Sequence, residues 1–449
     1  MADTRALLDR IAAFRQRLEE TPQLQMAVTM PVLTVNPEPV NEGPPKLTAR
    51  AQRLLLTARD LVQRQRQLGS DTGLEQTNDT LARFHRGTVG LTESAMRLAQ
   101  QFPMAVESQL HACDGFEFLL QVIEQRIRSL NDALAIRQRE EHRRERLIAI
   151  YSSLRAGRTM VLNPLVELAN EIMDESRGGD RLRFGCPLEA AGADQNVMRF
   201  VATHALNTAQ VIARLLPHDY EWAAKPILPV IAALVMDIGL LNVPSSTLFS
   251  KQVFTVSDRR VIEAHSRESA AIVRTLLPDS GPLADIVQAH HERPDGTGYP
   301  NGLRGDAIPT LARFLHVADI YAALVTARPH RPAMDSRAAL TEVLVMAEQG
   351  RIDRDFAEYL LNLSFHPVGT VVELVDGRLG VVAANHGRRV DLRATSRPVV
   401  AVLSDADGSV KPRPEFVDLA ATDRGGILRS IPKAEYTAKL SEWYPDLCV

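Results

Sequence analysis

Four histidines and two carboxylates of this sequence lie on apolar segments, where an ionisable side chain is costly to bury without a partner. These residues are His204, Asp237, His265, His290, His291 and Asp319. Imidazole nitrogens together with carboxylate oxygens are typical ligands of hard or borderline divalent cations. We therefore predict that the fold gathers these side chains into a buried metal site, with iron or manganese as the expected cofactor.

His316 precedes Asp319 by about one helical turn in the same apolar run, LARFLHVA. We interpret it as an ordinary helical histidine outside the site, because a single histidine on a helix usually has a structural role. The alternative is a further ligand near Asp319.

The segment HHERPDGTGYP, residues 290–300, carries the densest pattern of residues that could do chemistry. Adjacent histidines at the end of a helix can both reach a metal only if the helix stops and the chain turns. Pro294, Gly296, Gly298 and Pro300 supply that stop and a rigid loop. A polar helix end followed by a glycine turn explains the loop, but it does not explain so many specified residues in one short segment.

The same segment resembles the HHExxDGxGYP signature of HD-GYP proteins at every specified position. After the histidine pair, the matching residues are Glu292, Asp295, Gly296, Gly298, Tyr299 and Pro300. Asp237-Ile238-Gly239 with Pro244 resembles the family's HDIGKxxxP element, and residues 311–331 resemble its later helix. The resemblance spans residues 198–335. It implies a bacterial, α-helical HD domain that binds two or three metal ions and hydrolyses the messenger cyclic di-GMP.

The metal roles follow from this resemblance alone. His204, Asp237 and Asp319 resemble the ligands of the first metal. Asp237 also resembles a ligand of the second metal, together with His265, His290 and His291. The resemblance therefore implies that Asp237 bridges the two positions.

The resemblance also implies a substrate site and a loop. Arg328 and Arg331 resemble the basic residues that hold substrate phosphates, a role suited to a planar guanidinium fork. A surface pair that follows a helix is the alternative. The loop around Tyr299 is expected either to be structural or to dock a signalling protein partner.

The sequence departs from the family pattern at positions that weaken the first metal site. Met236 replaces the histidine of the HD pair, and a thioether is a poor ligand for iron, manganese or magnesium. Leu240 replaces the usual lysine, and Phe200 stands where members with three metals place a glutamate. Ala322 replaces an acidic residue that is common in the later helix. We therefore predict one well-formed metal site and one weak site.

These departures leave three functions open. The first is a cyclic di-GMP phosphodiesterase whose hydrolysis is weakened or lost, because positive charge is missing where the transition state needs it. The second is a catalytically inactive regulator that binds a nucleotide or a protein partner and relays that state through the helix over residues 106–154. The third is hydrolysis of a different phosphorylated substrate.

The elements that must position these residues are predicted to be mainly α-helical. The expected domains are an N-terminal helix with a proline-rich linker (1–45), a helical input or dimerisation region (46–154), an all-α HD-GYP domain (155–365) and a small β-rich domain (366–449). Asp376-Gly377 and Asp407-Gly408 are hairpin signals in the last of these.

An apolar stripe in the second region is typical of a helix that packs along another helix. Its members are Phe116, Leu120, Ile123, Ile127, Leu130 and Leu134. Packing within one chain and a homodimer would leave the same stripe. The charge run at residues 137–146 is interpreted as a solvated helix surface, with a connector helix as the alternative.

Composition excludes several classes of partner. The net charge of -3 on 449 residues provides no global field for DNA or a membrane surface. The 3 cysteines are far apart and form no disulfide framework. The chain shows no apolar stretch long enough to span a bilayer, so we expect a cytoplasmic protein without a DNA or membrane partner.

Overall fold

The computed structural model describes residues 44–72, 89–90, 93, 108–159, 161–177, 184, 196–277, 281–328, 331–363, 366, 370–384, 397–422 and 426–431. The expected N-terminal helix and the proline-rich linker, up to residue 43, lie outside these ranges. The described chain is mainly α-helical with a small antiparallel sheet near its end, as the sequence predicts. None of its helices has the length and apolar character needed to cross a membrane.

The described helices alternate with short turns and four 3₁₀ segments. The α-helices are α1 (Pro44–Thr72), α2 (Ser108–Arg155), α3 (Asn163–Arg177), α4 (Val197–Leu215), α5 (Tyr220–Ala223), α6 (Ile227–Val235), α7 (Ser245–Leu248), α8 (Val256–Glu263), α9 (His265–Leu276), α10 (Gly281–Ala289), α11 (Thr310–Leu324), α12 (Ser336–Glu348) and α13 (Arg354–Tyr359). The 3₁₀ segments are Leu216–His218, Ile238–Asn242, Gly305–Ala307 and Leu360–Asn362.

The described residues separate into two compact units. One holds the segments up to residue 139 and the strands, and the other runs from residue 140 to residue 366. The domain boundaries expected from the sequence remain predictions.

The unit that begins at residue 140 is built around one large hydrophobic core. In this unit α4 packs against α3, α6 and α11. The side chain of Asn196 begins α4 by accepting the N–H of Arg199 at 3.0 Å. Because α6 is apolar throughout, it lies inside the core. Met236 and Asp237 follow its last residue and are therefore buried as well.

The apolar stripe on α2 is buried at the positions whose side chains are described. These are Leu120, Ile123, Ile127 and Leu134. Helix α1 also buries one face, and its Arg50 donates to Glu124 of α2 through Nε at 2.6 Å and Nη2 at 2.7 Å. The stripe is thus accompanied by a helix–helix contact within one chain.

The charge run on α2 is only in part the solvated surface that the sequence predicts, because Arg139, His142 and Glu145 are exposed whereas three other members are not. Glu141, Arg143 and Arg144 are buried. Their charges are tolerated because each has an opposite charge nearby. Glu141 pairs with Arg144 and with Arg199 of α4, while Arg143 pairs with Glu175 of α3. Partners on other elements, which sequence spacing does not reveal, account for the difference.

The sheet consists of β1 (Val371–Leu374), β2 (Leu379–Ala384), β3 (Val399–Ser404), β4 (Val410–Asp418) and β5 (Ile427–Ser430) in the order β4-β3-β2-β1-β5. All of its pairings are antiparallel. Both predicted hairpins are confirmed, with Gly377 at φ 85° between β1 and β2 and Gly408 at φ 84° between β3 and β4. A positive φ is readily adopted by glycine. Apolar side chains cover both faces of the sheet.

Candidate metal centre

Asp237 lies at the centre of the site, two residues after the last residue of the apolar helix α6. Its φ of -101° and ψ of 7° turn the chain from α6 into the 3₁₀ segment Ile238–Asn242. One carboxylate oxygen, Oδ1, faces His265 Nε2 at 3.2 Å and His290 Nε2 at 3.5 Å. The other oxygen, Oδ2, faces His204 Nε2 at 3.6 Å. Asp237 therefore lies between two sets of imidazole nitrogens.

Gly239 allows this carboxylate to approach α9, the helix that begins with His265. A Cβ at Gly239 would lie 2.3 Å from the His265 carbonyl oxygen and 2.8 Å from the Ser269 nitrogen. The Gly239 N–H donates to Ser269 Oγ at 2.8 Å. Only a residue without a side chain permits this contact, which explains why glycine follows Asp237 by two positions.

His265 and His290 are oriented by the backbone. The Nδ1–H of His265 donates to the Ile262 carbonyl at 2.6 Å, and that of His290 donates to the Val287 carbonyl at 2.5 Å. Once Nε2 loses its proton, its lone pair can bind a metal while the Nδ1–H remains bound to the backbone. Both Nε2 atoms face Asp237. This is the arrangement that a metal-binding histidine uses, with the second ring nitrogen held by a backbone oxygen.

Asp319 on α11 has two different neighbours. Its Oδ1 lies 2.7 Å from His204 Nε2, and its Oδ2 lies 3.9 Å from His291 Nδ1. His204 comes from α4, which packs against α11, and His291 follows the end of α10. The six residues that the sequence singled out therefore meet in one place, although they come from distant parts of the chain.

Three sets of ligand atoms lie close enough to hold a cation, within 4.8 Å of one another. The sets are group 1 (Asp237, His265, His290 and His291), group 2 (His204, Asp237 and Asp319) and group 3 (His291, His316 and Asp319). Groups 1 and 2 contain the residues that resemble the two family sites. This mixture of nitrogen and carboxylate donors fits a divalent transition metal.

His316 is the residue that the sequence argument left out. It is buried on α11, and neither ring nitrogen has a hydrogen-bond partner of ordinary geometry among the described residues. Burial lowers the pKa of His316 to about 4. The available signal was its position one turn before Asp319, which places both residues near the same face of the helix.

The carboxylates of the site remain charged in spite of burial. Burial would raise the pKa of Asp237, but hydrogen bonds with His265 and His290 outweigh it and hold that pKa well below its usual range. Burial would likewise raise the pKa of Asp319, but its hydrogen bond with His204 lowers it. The centre therefore presents negative charge in a buried place, where a cation would be strongly attracted.

The pKa values of His290 and His291 are shifted in opposite directions. Burial would lower the pKa of His290, but the hydrogen bond with Asp237 and the charge of that carboxylate raise it. Burial and the neighbouring His290 hold the pKa of His291 well below its usual range. His291 is therefore neutral, as a ligand must be.

The departing positions are also buried. Met236 follows the last residue of α6 and offers only a thioether, and Leu240 belongs to the same hydrophobic core. Phe200 packs edge-on against Phe249 with ring centroids 5.3 Å apart. The Arg328 guanidinium lies 5.0 Å above the Phe200 ring. None of the side chains at positions 236, 240 and 200 supplies a nitrogen or oxygen donor.

The predicted phosphate-binding arginines differ in their contacts. Arg328 Nη2 lies 3.3 Å from His204 Nδ1 and 3.4 Å from its Nε2, at the edge of group 2. Arg331 instead donates to the carbonyls of Ala323 at 2.7 Å and Leu324 at 3.0 Å, which end α11. Their backbones are joined by hydrogen bonds of 2.8 and 3.1 Å.

The loop after His291 is braced from within. The Glu292 carboxylate accepts the N–H of Asn301 at 2.6 Å and that of Leu303 at 2.9 Å. A Cβ at Gly298 would lie 2.3 Å from the Arg293 nitrogen, and Gly296 has a φ of 79°. The Tyr299–Pro300 peptide is cis.

Side chains of the loop also contact the site and each other. The Tyr299 ring lies 4.8 Å from the His291 ring, between ring centroids. Asp295 Oδ1 accepts the N–H of Thr297 at 2.8 Å. The loop thus holds the histidine that both group 1 and group 3 contain.

Comparison with known proteins identifies the domain. Residues 187–356 match the HD domain family. The chain is 34% identical over 199 residues to the cyclic di-GMP phosphodiesterase PA4108 of Pseudomonas aeruginosa, across 43% of this chain and 46% of that protein. It is 37% identical over 124 residues to the cyclic di-GMP phosphodiesterase response regulator RpfG of Xanthomonas campestris, across 27% and 32%.

Other relatives are matched over shorter segments. The chain is 40% identical over 109 residues to the 3'3'-cGAMP-specific phosphodiesterase 3 of Vibrio cholerae, across 24% of each protein. It covers less than half the length of each of these curated relatives. Bd1817, a HDG"Y"P protein from Bdellovibrio bacteriovorus, is 16% identical, with a TM-score of 0.34 across 62% of this chain and 78% of that chain. Residues 187–356 therefore form an HD domain, and this part of the chain is similar to cyclic di-GMP phosphodiesterases.

Proposed function

We propose that this chain is a metal-dependent signalling protein that binds cyclic di-GMP or a related nucleotide, with weakened or lost phosphodiester hydrolysis. One observation carries the proposal. Asp237 is surrounded by imidazole nitrogens, whereas the residue before it, Met236, is buried and offers no nitrogen. The centre retains the means to bind metal but lacks one donor of the family pattern.

The donor set supports a divalent cation, with iron or manganese favoured over magnesium. Group 1 combines three imidazoles with one carboxylate, and nitrogen-rich sets suit these metals. Group 2 has one imidazole and two carboxylates, one of which it shares with group 1. We therefore propose one well-formed position and one weak position. A bound cation would polarise the phosphodiester and stabilise the charge that develops on its oxygens.

The relatives support a cyclic dinucleotide as the ligand, because their names specify cyclic di-GMP or cGAMP. Arg328 is the proposed phosphate contact, since its guanidinium lies beside His204 at the edge of the centre. Arg331 was expected to share this role. Because Arg331 donates hydrogen bonds to the end of α11, we propose that it positions Arg328 instead of binding phosphate.

The loss of charge explains why we propose weak hydrolysis. The family's lysine is Leu240 here, and its histidine is Met236. Removing one preorganised electrostatic contributor costs on the order of 10²–10³ in rate. Two such losses would leave little turnover while permitting the ligand to bind.

Two other functions remain candidates. A catalytically inactive regulator is favoured by the contact of α2 with α6, the helix that precedes Asp237, since Tyr151 donates to the Leu234 carbonyl at 2.5 Å. In that case ligand binding at the centre would be transmitted to a protein partner or to a second copy of the chain. The loop around Tyr299 is the proposed contact with the protein partner. Hydrolysis of a different phosphorylated substrate is the third candidate. For each function we expect a cytoplasmic protein.

The test compares the full-length parent with the double variant Met236→His and Leu240→Lys. Metal content, cyclic di-GMP affinity and steady-state turnover are measured for both. Met236→Leu is the matched control, because it preserves core volume and adds no nitrogen. We expect the parent to bind the nucleotide with little turnover. No metal in the parent would contradict a metal-dependent function, and metal without nucleotide binding would favour another substrate.

A further inference from the structure

His316 lies on α11, about one turn before Asp319, with 4% of its surface exposed. Neither ring nitrogen has a hydrogen-bond partner of ordinary geometry within the described residues. The backbone of His290 acts on the ring without reaching that geometry. Buried polar groups in folded proteins nearly always have partners. The two unpartnered ring nitrogens of His316 are therefore candidate ligands for a cation.

Two other donors lie beside this ring. The ligand atoms of His291, His316 and Asp319 lie within 4.8 Å of one another. Donors around a single transition metal are separated by about 3–4.2 Å when their bonds are about 2.1 Å long. Small side-chain adjustments would therefore bring all three donors to one cation.

The two carboxylate oxygens of Asp319 face different histidines. Its Oδ1 is bound to His204 at 2.7 Å, while its Oδ2 faces His291 at 3.9 Å. The longer distance leaves more room for a cation than the hydrogen-bonded side does. A carboxylate can use its two oxygens for two different partners.

The His204 side is also electrostatically less favourable. Arg328 Nη2 lies 3.3–3.4 Å from both His204 ring nitrogens. A guanidinium is positive at every accessible pH and repels a cation at this distance. The charge of Arg293 also acts on His316, but the Arg328 guanidinium directly contacts a ligand of group 2.

We propose that the second cation of this domain is held by His291, His316 and Asp319, in group 3, rather than in group 2. This inference rests on the metal-dependent function proposed above. His316 then supplies a nitrogen in place of the family histidine at position 236, from another side of Asp319. His291 belongs to groups 1 and 3, and the first cation retains Asp237, His265 and His290.

The test is a metal titration of the full chain. The protein is stripped with a chelator and titrated with Mn²⁺, and bound metal is measured for the parent, His316→Gln and His204→Gln. His366→Gln is the matched control, because His366 is also buried but belongs to none of the three groups. Far-UV circular dichroism establishes that each variant retains the helical content of the parent.

We expect two equivalents in the parent and in His366→Gln. His316→Gln should lose the second equivalent, with its Kd raised more than ~100-fold, beyond the 10–100-fold typical of residues that only support a ligand. His204→Gln should retain it within about 10-fold. The proposal is overturned if His316→Gln retains parental affinity, if His204→Gln loses the second cation as fully, or if the parent binds only one equivalent.

A parent that binds no metal would instead refute the proposed function itself. One further measurement needs no variant and therefore does not depend on variant folding. In crystals of the manganese-loaded parent, anomalous scattering should place the second cation within about 2.5 Å of a His316 ring nitrogen. A second peak beside His204 with none beside His316 would overturn the inference.

Discussion

Glu141 on α2 accepts two hydrogen bonds from the guanidinium of Arg199 on α4, at 2.6 Å from Nη1 and 2.8 Å from Nη2. Both residues lie in the same compact unit. Arg199 lies in the first turn of the helix that carries His204, so this ion pair connects the long helix α2 to an element of the candidate metal centre. Glu141 also accepts from Arg144 at 2.5 Å, which makes it the shared partner of two arginines.

Replacing Glu141 with glutamine should destabilise the protein markedly. Removing one partner of a buried ion pair leaves an uncompensated charge and costs about 3 kcal/mol. Urea unfolding of the full chain measures the change in free energy of unfolding. Asp174→Asn is the control, because its pair with Arg177 is exposed on both sides and should change stability by less than about 0.5 kcal/mol. Equal effects of the two variants would contradict the importance of the buried pair.

Gly239→Ala should disturb the centre through the backbone. A Cβ there would lie 2.3 Å from the His265 carbonyl oxygen, so α9 must shift away from Asp237. We expect a loss of about 1–3 kcal/mol in stability and weaker metal binding. Gly281→Ala, where a Cβ meets nothing within 4 Å, is the matched control. Unchanged metal affinity in Gly239→Ala would mean that this close contact does not position the ligands.

Glu292→Gln should loosen the loop that holds His291. The glutamate accepts two backbone N–H groups, and a neutral amide can replace at most one of them without a clash of donors. Hydrogen exchange at Asn301 and Leu303 should become about 10-fold faster, which corresponds to about 1.4 kcal/mol. Asp306→Asn, at an exposed position of the same unit, should leave this exchange unchanged. Protection equal to that of the parent would contradict a bracing role for Glu292.

Chelation should lower the thermal stability of the full chain. Metal bound at 100 times its Kd stabilises the folded state by about 2.7 kcal/mol, and this contribution disappears when the metal is removed. Thermal unfolding with and without chelator measures the difference. His265→Ala should abolish the difference, whereas His366→Ala should preserve it, because only His265 belongs to a ligand group. A parent whose Tm does not respond to chelator would argue against a resident metal.

Much of the fold and of the centre could be predicted from local patterns. The hairpins follow from Asp-Gly pairs that permit positive φ, and the set of candidate ligands follows from ionisable residues on apolar segments. Each of these signals depends only on residues that are close to one another in the sequence. The resemblance of residues 290–300 to a known signature then connected candidate ligands that are distant along the chain.

The remaining features depend on contacts between distant segments. Glu141 and Arg143 lie in a charge run, and their burial depends on ion pairs with Arg199 of α4 and Glu175 of α3. His316 resembled an ordinary helical histidine, because the sequence does not show that its ring nitrogens lack partners. Arg331 resembled a phosphate ligand, yet its donors are directed to carbonyls at the end of its own preceding helix.

The most direct test of weakened catalysis is the single-turnover rate constant for cyclic di-GMP hydrolysis with enzyme and Mn²⁺ in excess. Product release does not affect this measurement, so it reports the chemical step. We predict that Met236→His with Leu240→Lys accelerates hydrolysis by at least about 100-fold over the parent. Met236→Leu should leave the slow parental rate unchanged. A parent that hydrolyses the dinucleotide as fast as the double variant would contradict the claim that these positions weaken catalysis.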